Sequence, residues 1–349
     1  MIFLVSDLNS LTNQLFDRRE AMRPTLRTWL KHLALFLITF FTVTIAGVLP
    51  PFNHVEIFSN VPDPQTWTDV YQFIFSLPSL YVQLIFSTVQ KLFAEFNTLK
   101  YGISFSVSLL AILTAHEAGH YFACRLYRVD ATLPYFIPLP PLIGPAGTLG
   151  AFIKIVSPMP SRRATFDIGV AGPIAGFVVL IPILIFGLFT MEQVSPKEAA
   201  TAFDEGGLYF SAPLLMQLLA KIINVSLSLG AFNSFLAAAW LGMLITSLNL
   251  IPSGQLDGGH AIYAIFGEKI HFWTGRIAFA GMSLISLLGW FLYSSPSGFL
   301  FAILLAVMMR IRHPEPLDET PLDFKRKIIA VLTLLIFILC FLPFPIQIR

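Results

Sequence analysis

Residues 103–124 read ISFSVSLLAILTAHEAGHYFAC, an apolar run broken only near its end by His116, Glu117 and His120. A hydrocarbon layer about 30 Å thick takes roughly 20 helical residues, so the run is predicted to cross a membrane as a helix. Positions i and i+4 of a helix share a face. The HExxH pattern therefore sets the imidazoles of His116 and His120 side by side, with Glu117 next to them. Such groups inside a span cost roughly several kcal/mol unless they are paired or coordinated. Two histidines at this spacing suit one Zn²⁺ ion, with the intervening glutamate free to act on a water.

The composition places the run in an integral multi-pass membrane protein. Of 349 residues, 56% are hydrophobic, 34 are Phe and only 12% are charged, where an ordinary soluble domain has about 25% charged residues. The mean hydropathy is +0.74, so the apolar surplus must face lipid. A net charge of +2 gives no footing for a nucleic-acid partner. Cys124 and Cys340 lie in apolar segments without CxxC or Cys/His spacing, which points to neither a disulfide framework nor a thiolate metal site.

Seven stretches are predicted to cross: 33–49, 103–124, 167–189, 233–251, 277–293, 298–310 and 328–346, the sixth being short. Basic residues gather in alternate loops. Arg18, Arg19, Arg23, Arg27 and Lys31 precede the first span, Arg125, Arg128, Lys154, Arg162 and Arg163 follow the second, and Arg310, Arg312, Lys325, Arg326 and Lys327 precede the last. By the positive-inside rule the N-terminus is expected to be cytoplasmic or stromal. The run from Leu33 to Leu49 exceeds a signal-peptide core of about 7–15 residues and ends at Pro50 and Pro51, so it is read as a retained anchor. Residues 71–96 and 208–229 are expected to lie at the interface or re-enter. Counting the first as a span would push the Arg-rich 125–163 loop to the other side.

A catalytic zinc site normally has three protein ligands and leaves one position for water. Asp130 reads as a solvated loop carboxylate beside Arg125 and Arg128. The fourth span ends in the stretch from Leu248 to His260, where Pro252 and Gly254 break the helix and Gly258 and Gly259 let backbone pass close to a site. Spans two and four run in the same direction, so Asp257 can approach His116 and His120. From the residues alone, Asp257 as a ligand competes with Asp257 paired to Lys269 or Arg276, and His260 is a rival ligand.

These motifs resemble the site-2 protease family of intramembrane zinc metalloproteases. The resemblance rests on His116 to His120, Asn249 to Pro252, Leu256 to Gly259, Gly147 to Ala151, and Ala171 to Pro173. It implies one catalytic zinc ion held by His116, His120 and Asp257, with Glu117 activating its water. It further implies that Asn249 orients substrate or stabilises the oxyanion, and that Thr148 to Val156 form a short membrane-dipping β-hairpin. That hairpin would pair with an unwound membrane-protein substrate; the alternative is a plain cytoplasmic hairpin. Gly172 and Gly176 form a GxxxG pattern, read as helix packing.

The expected architecture is all-α and polytopic, with about seven transmembrane helices and the short hairpin. Residues 1–100 hold the first helix and an interfacial region, 101–268 the catalytic core, and 269–349 the C-terminal helices. The 190–232 loop is too short for a PDZ domain, and the residues after 313 are expected to leave no room for a nucleotide-binding module. The likeness is therefore to compact members found in bacterial plasma membranes and plant plastids. The competing readings are a catalytically inactive homologue and a metal-binding or transport protein. Transporters commonly carry repeated halves, and no repeat is visible here.

Overall fold

A computed structural model of the chain describes residues 24–52, 66–144, 146–193, 208–230, 232–311 and 313–348. The basic N-terminal residues Arg18, Arg19 and Arg23 lie outside these. Polar side chains start the long helices by accepting otherwise unpaired backbone N–H groups. Thr25 opens α1 (Leu26–Gly47), and Thr66 with Asp69 forms a reciprocal capping box on α2 (Trp67–Ala94). Glu95 separates α2 from α3 (Phe96–Leu126), and Ser161 caps α4 (Arg162–Phe189). A short α5 (Leu214–Ile223) precedes α6 (Ser234–Asn249), which Asn233 caps. Then follow α7 (Asp257–Phe266), α8 (Glu268–Tyr293), α9 (Ser297–Met308) and α10 (Phe324–Cys340), the last capped by Asp323.

Among the described residues five helices, α1 to α4 and α8, are long and apolar enough to cross a membrane. The segments expected at 233–251, 298–310 and 328–346 form α6, α9 and α10, of 16, 12 and 17 residues, shorter than the roughly 20 of a full crossing. Residues 71–96, expected to lie at the interface or re-enter, are helical over most of their length. They form most of the continuous 28-residue α2, in which Pro78 is accommodated and only Thr88 and Leu92 are buried. The structure constrains their path. His32 at the start of α1 hydrogen-bonds the carbonyl of Pro134, just beyond α3, through Nδ1 at 2.8 Å, and Gly102 at the start of α3 meets Thr44 and Val48 at the end of α1. With α1 and α3 antiparallel, the end of α1 and the start of α3, which the stretch bearing α2 joins, lie on one side. A single crossing by that stretch is incompatible with the two helices each crossing once.

Close approaches at glycine set the inner bundle. A Cβ on Gly119 of α3 would lie 2.4 Å from the carbonyl oxygen of Ala171 on α4, so the backbones pack nearly in contact. Gly187 of α4 meets Leu236 of α6, and Gly242 of α6 meets Ile112 of α3 and Leu180 of α4. Thus α6 runs antiparallel to α4 and parallel to α3. Phe105, Leu109, Leu180, Leu184, Leu236 and Trp240 fill the space between them, and the Trp240 indole N–H donates to the Ser211 carbonyl at 2.7 Å. Outward faces are apolar and bare, with Phe75 at 82% and Phe291 at 78% exposure, as lipid-facing surfaces are.

Two small antiparallel sheets complete the structure. In the first, β1 (Tyr135–Pro138) pairs with β2 (Thr148–Phe152), with Tyr135 opposite Phe152 and Phe136 opposite Ala151. A bridge between Ala131 and Ile155 extends the hairpin towards its base. Among the described residues no strand covers the other edge of β2. The second sheet joins β3 (Leu208–Phe210) to β4 (Ile346–Ile348); no sequence signal announced that pairing. Residues 208–229, expected at the interface, give β3, α5 and a 3₁₀ turn at Leu227–Leu229.

The basic start of α10 is anchored onto the helices that carry the HExxH motif and its neighbour. Arg326 donates Nε to Asp167 Oδ1 at 2.9 Å and Nη2 to Asp167 Oδ2 at 2.6 Å. Tyr127 at the end of α3 donates to Asp167 and accepts from Arg326 Nη2 at 2.8 Å. Two-pronged charge-assisted bonds are the strong kind. Arg326→Ala is expected to destabilise by about 2 kcal/mol, discounting a buried pair for partial exposure. Arg326→Lys recovers less than half, because an ammonium lacks the planar fork. Thermal unfolding in detergent reads both variants, and Arg326→Lys as stable as the wild type would contradict the two-pronged role.

Candidate metal centre

The HExxH residues sit on α3 between about 9 and 15 Å from its C-terminal end, at 1.5 Å per residue. His116, Glu117 and His120 are 5%, 5% and 8% exposed. The groove that receives the two imidazoles is made by the GxxxG pattern of α4. Gly176 lies against the His116 side chain, and a Cβ on Gly172 would come within 2.1 Å of His120 Nε2. The glycines expected to serve helix packing therefore also make room for the two rings.

Hydrogen bonding orients the ligands. His120 Nδ1 lies 2.7 Å from the Ile168 carbonyl. A carbonyl only accepts, so Nδ1 carries the proton and the Nε2 lone pair is free. His120 Nε2 faces His116 Nε2 at 3.1 Å. The carboxylate of Asp257, at the first position of α7 beyond the break at 250–256, spans both rings. Oδ2 is 3.2 Å from His116 Nε2, and Oδ1 is 3.3 Å from His120 Nε2. Asp257 is thus beside the imidazoles, not beside Lys269 or Arg276.

His116, His120 and Asp257 each offer one ligand atom, all within 4.8 Å of one another. Tetrahedral Zn²⁺, with bonds of about 2.0–2.1 Å, spaces its ligands about 3.3–3.4 Å apart. The two imidazole nitrogens, 3.1 Å apart, are near that spacing, and the Asp257 carboxylate reaches each of them with a different oxygen, at 3.2 and 3.3 Å. Two nitrogens and an oxygen without a thiolate form a zinc-type donor set. Cys124 instead packs in an apolar cluster with Val129, Met159 and Ile168.

The other candidate residues converge on the same place. Asn249 Nδ2 at the end of α6 is 3.4 Å from His116 Nε2. Glu117 and Ile153, just past β2, line one cavity, so the hairpin lies beside the motif. His260, the rival ligand, stands one turn beyond Asp257 and turns its Nδ1 to Nε2 of His313 at 2.6 Å. Asp130 lies away in the hairpin base, where its N–H donates to Ser157 Oγ at 2.8 Å.

A cavity of about 780 Å³ opens onto His116, His120 and Asp257, walled by residues 151–159 on one side and by Asn249, Leu256 and His260 on another. Gly169, on α4, also lines it. Pro173 has no N–H to give the Gly169 carbonyl, so the helix is irregular next to the cavity. Irregular backbone at membrane depth is tolerated where it faces protein or a polar space. His313, Ile153 and the fit of Gly172 to His120 escaped the sequence reading. Only the small-residue pattern of α4 gave any sign of them.

Comparison with known proteins follows the same residues. A probable zinc metalloprotease of Oryza sativa subsp. japonica, EGY1, chloroplastic, is 28% identical over 280 residues, covering 76% of this chain and 43% of that protein. The protein of that name from Arabidopsis thaliana is 26% identical over 336 residues, covering 93% of this chain and 56% of its own. EGY2 of Arabidopsis thaliana, also named a probable chloroplastic zinc metalloprotease, is 27% identical over 277 residues, covering 78% and 46%. The chain spans about half the length of the curated relatives it matches. Residues 104–289, more than half of the chain, match the sequence model of peptidase family M50, and with the HExxH helix and Asp257 inside that match the chain belongs to this family.

Proposed function

We propose that the protein is an intramembrane zinc metalloendopeptidase that hydrolyses a peptide bond within or near the transmembrane segment of membrane-protein substrates. The observation that carries this reading is the buried His116, His120 and Asp257 cluster with Glu117 beside it, at the foot of a cavity inside an apolar bundle. His116, His120 and Asp257 would hold one zinc ion, which when bound supplies a Lewis acid that makes water nucleophilic and polarises the scissile carbonyl. Glu117 takes a proton from the attacking water as its oxygen bonds to the carbonyl carbon. It then returns that proton to the departing amine nitrogen as the C–N bond breaks. Asn249 stands close enough to His116 to orient the substrate or donate to the carbonyl oxygen as charge develops there.

A helical substrate keeps its carbonyls bonded within the helix, so it must be extended before attack. The uncovered edge of β2, beside Glu117, suits a strand added by main-chain hydrogen bonds. The lipid bilayer is then both surroundings and source of substrate. The chloroplastic names of the relatives favour a plastid membrane, with a bacterial plasma membrane as the counterpart. The basic ends are placed on the stromal or cytoplasmic side.

The test is cleavage of a single-span substrate in liposomes, in parallel with an apolar-free peptide in detergent. Cleavage of the first within or near its apolar segment is expected. Efficient cleavage of the second alone would mean a peptidase for soluble chains. Asn249→Ala is expected to lower kcat about 10²-fold, the scale for one donor to a developing oxyanion, with KM little changed; an unaltered kcat would remove Asn249 from the reaction.

A further inference from the structure

Residues 313–319, beyond the family match at 104–289, run past the cavity as a strap tied at both ends, with Pro314 and Glu315 in its lining. One end is fixed to α7 and α8. His260 Nδ1 lies 2.6 Å from His313 Nε2, the His313 ring stacks on Tyr263 at 4.1 Å and 11°, and His271 meets it edge-on at 5.3 Å. The other end is fixed to the segment leading into α4. Leu317 N–H donates to the Met159 carbonyl at 3.0 Å, Arg162 N–H donates to the Asp318 carbonyl at 2.9 Å, and Arg162 pairs with Glu319 at 3.1 Å. Between the tethers Pro314 and Glu315 line the cavity, facing a space bounded also by His260 and Met159.

The protonation of the pair follows from its partners. His313 Nδ1 is 2.8 Å from the Pro314 carbonyl, which only accepts, so the proton sits on Nδ1 and Nε2 offers a lone pair. His260 must then donate from Nδ1. Burial, followed by the proximity of His260, pushes His313 down to about 3, so the ring is neutral at working pH and the bond is intact. The other titratable groups near the ring are His271 and Tyr263; around Tyr263 stand Glu315, Glu268, Glu319 and Arg162.

We propose that His313 is a positioning residue for the peptidase reaction: latched to His260, it holds Pro314 and Glu315 as a wall of the cavity and limits how far an extended substrate chain runs past Glu117. The inference rests on the peptidase reading above. Breaking the latch frees one end only, because the tethers at residues 317–319 remain. The wall then swings away without unfolding. Gln at position 313 keeps an acceptor for His260, whereas Ala keeps neither acceptor nor stacking ring.

The experiment measures strap and reaction separately. Met159→Cys places a thiol at a position 3% exposed, next to the strap tether, while Cys124 and Cys340 are buried. Its alkylation by a maleimide at pH 7.5 is expected to accelerate at least tenfold in His313→Ala and by less in His313→Gln. A freed histidine titrates near 6.5 and the latched one near 3, so the closed form binds fewer protons and is disfavoured as pH falls below about 6.5. From pH 7.5 to 5.5 the rate, normalised to the same cysteine in the denatured chain, is expected to rise about tenfold with His313 present and to stay flat in His313→Ala. In liposomes His313→Ala is expected to raise KM about tenfold and spread cleavage over neighbouring bonds, with zinc content equal to that of the wild type. Alkylation indifferent to both His313→Ala and His313→Gln overturns the latch. Altered labelling with unchanged KM and cleavage position overturns the positioning role. A wild type that cleaves nothing overturns the peptidase reading instead.

Discussion

Glu117→Gln is expected to leave zinc bound at one ion per chain and to lower cleavage by at least about 10³-fold, within the range general acid–base catalysis supplies. The two side chains have nearly the same shape, and the proposed ligands His116, His120 and Asp257 reach one another without Glu117. What the amide lacks is a site that accepts the proton of the attacking water and returns it to the amine. Metal analysis and single-turnover cleavage on the same purified sample read the two halves separately. Cleavage retained within tenfold by a zinc-loaded Glu117→Gln protein would end the assignment of Glu117 as the proton carrier.

Gly172→Ala has the second large effect, and it acts on the metal. The added Cβ would lie 2.1 Å from His120 Nε2 and 2.4 Å from His120 Cδ2. Relief requires the ring to turn or α4 to move, and α4 is held within about a van der Waals contact of α3 at Gly119. The ring is also tied to the Ile168 carbonyl. Zinc affinity is expected to fall by about 10²-fold, the upper end of what disturbing a ligand's orientation costs, with overpacking adding about 1–3 kcal/mol of destabilisation. Gly281→Ala is the control, since its Cβ would meet nothing within 4 Å. Dissociation constants from chelator competition, unchanged in Gly172→Ala, would show that the ring is not held as described.

The parts of the fold legible in the sequence were those with one strong physical cause. Apolar runs located the long helices α1, α3, α4 and α8, and the i, i+4 histidines named the face of α3 that meets another chain segment. Asp257 stood among open alternatives until the break after α6 brought it between the two imidazoles. In residues 71–96, Gln83, Gln90, Lys91 and Glu95 dilute an apolar helix without ending it; α2 runs through Pro78 and stops only at Ala94. The pairing of β3 with β4 and the clamp from Arg326 to Asp167 were invisible. Each joins residues more than a hundred positions apart, and no local pattern records such a contact. His313 was silent for the same reason: an isolated histidine in a polar loop gains meaning only when Tyr263 and His260 are beside it.

The most direct test of the central claim is zinc content together with cleavage of a single-span substrate in liposomes, on wild type, Glu117→Gln and Asp257→Ala prepared in parallel. One zinc per chain in the first two, zinc largely lost from Asp257→Ala, and cleavage by the wild type alone, abolished by a chelator and restored by zinc, is the predicted result. Full zinc retention by Asp257→Ala, or cleavage that survives the chelator, would contradict a peptidase centre built from His116, His120 and Asp257.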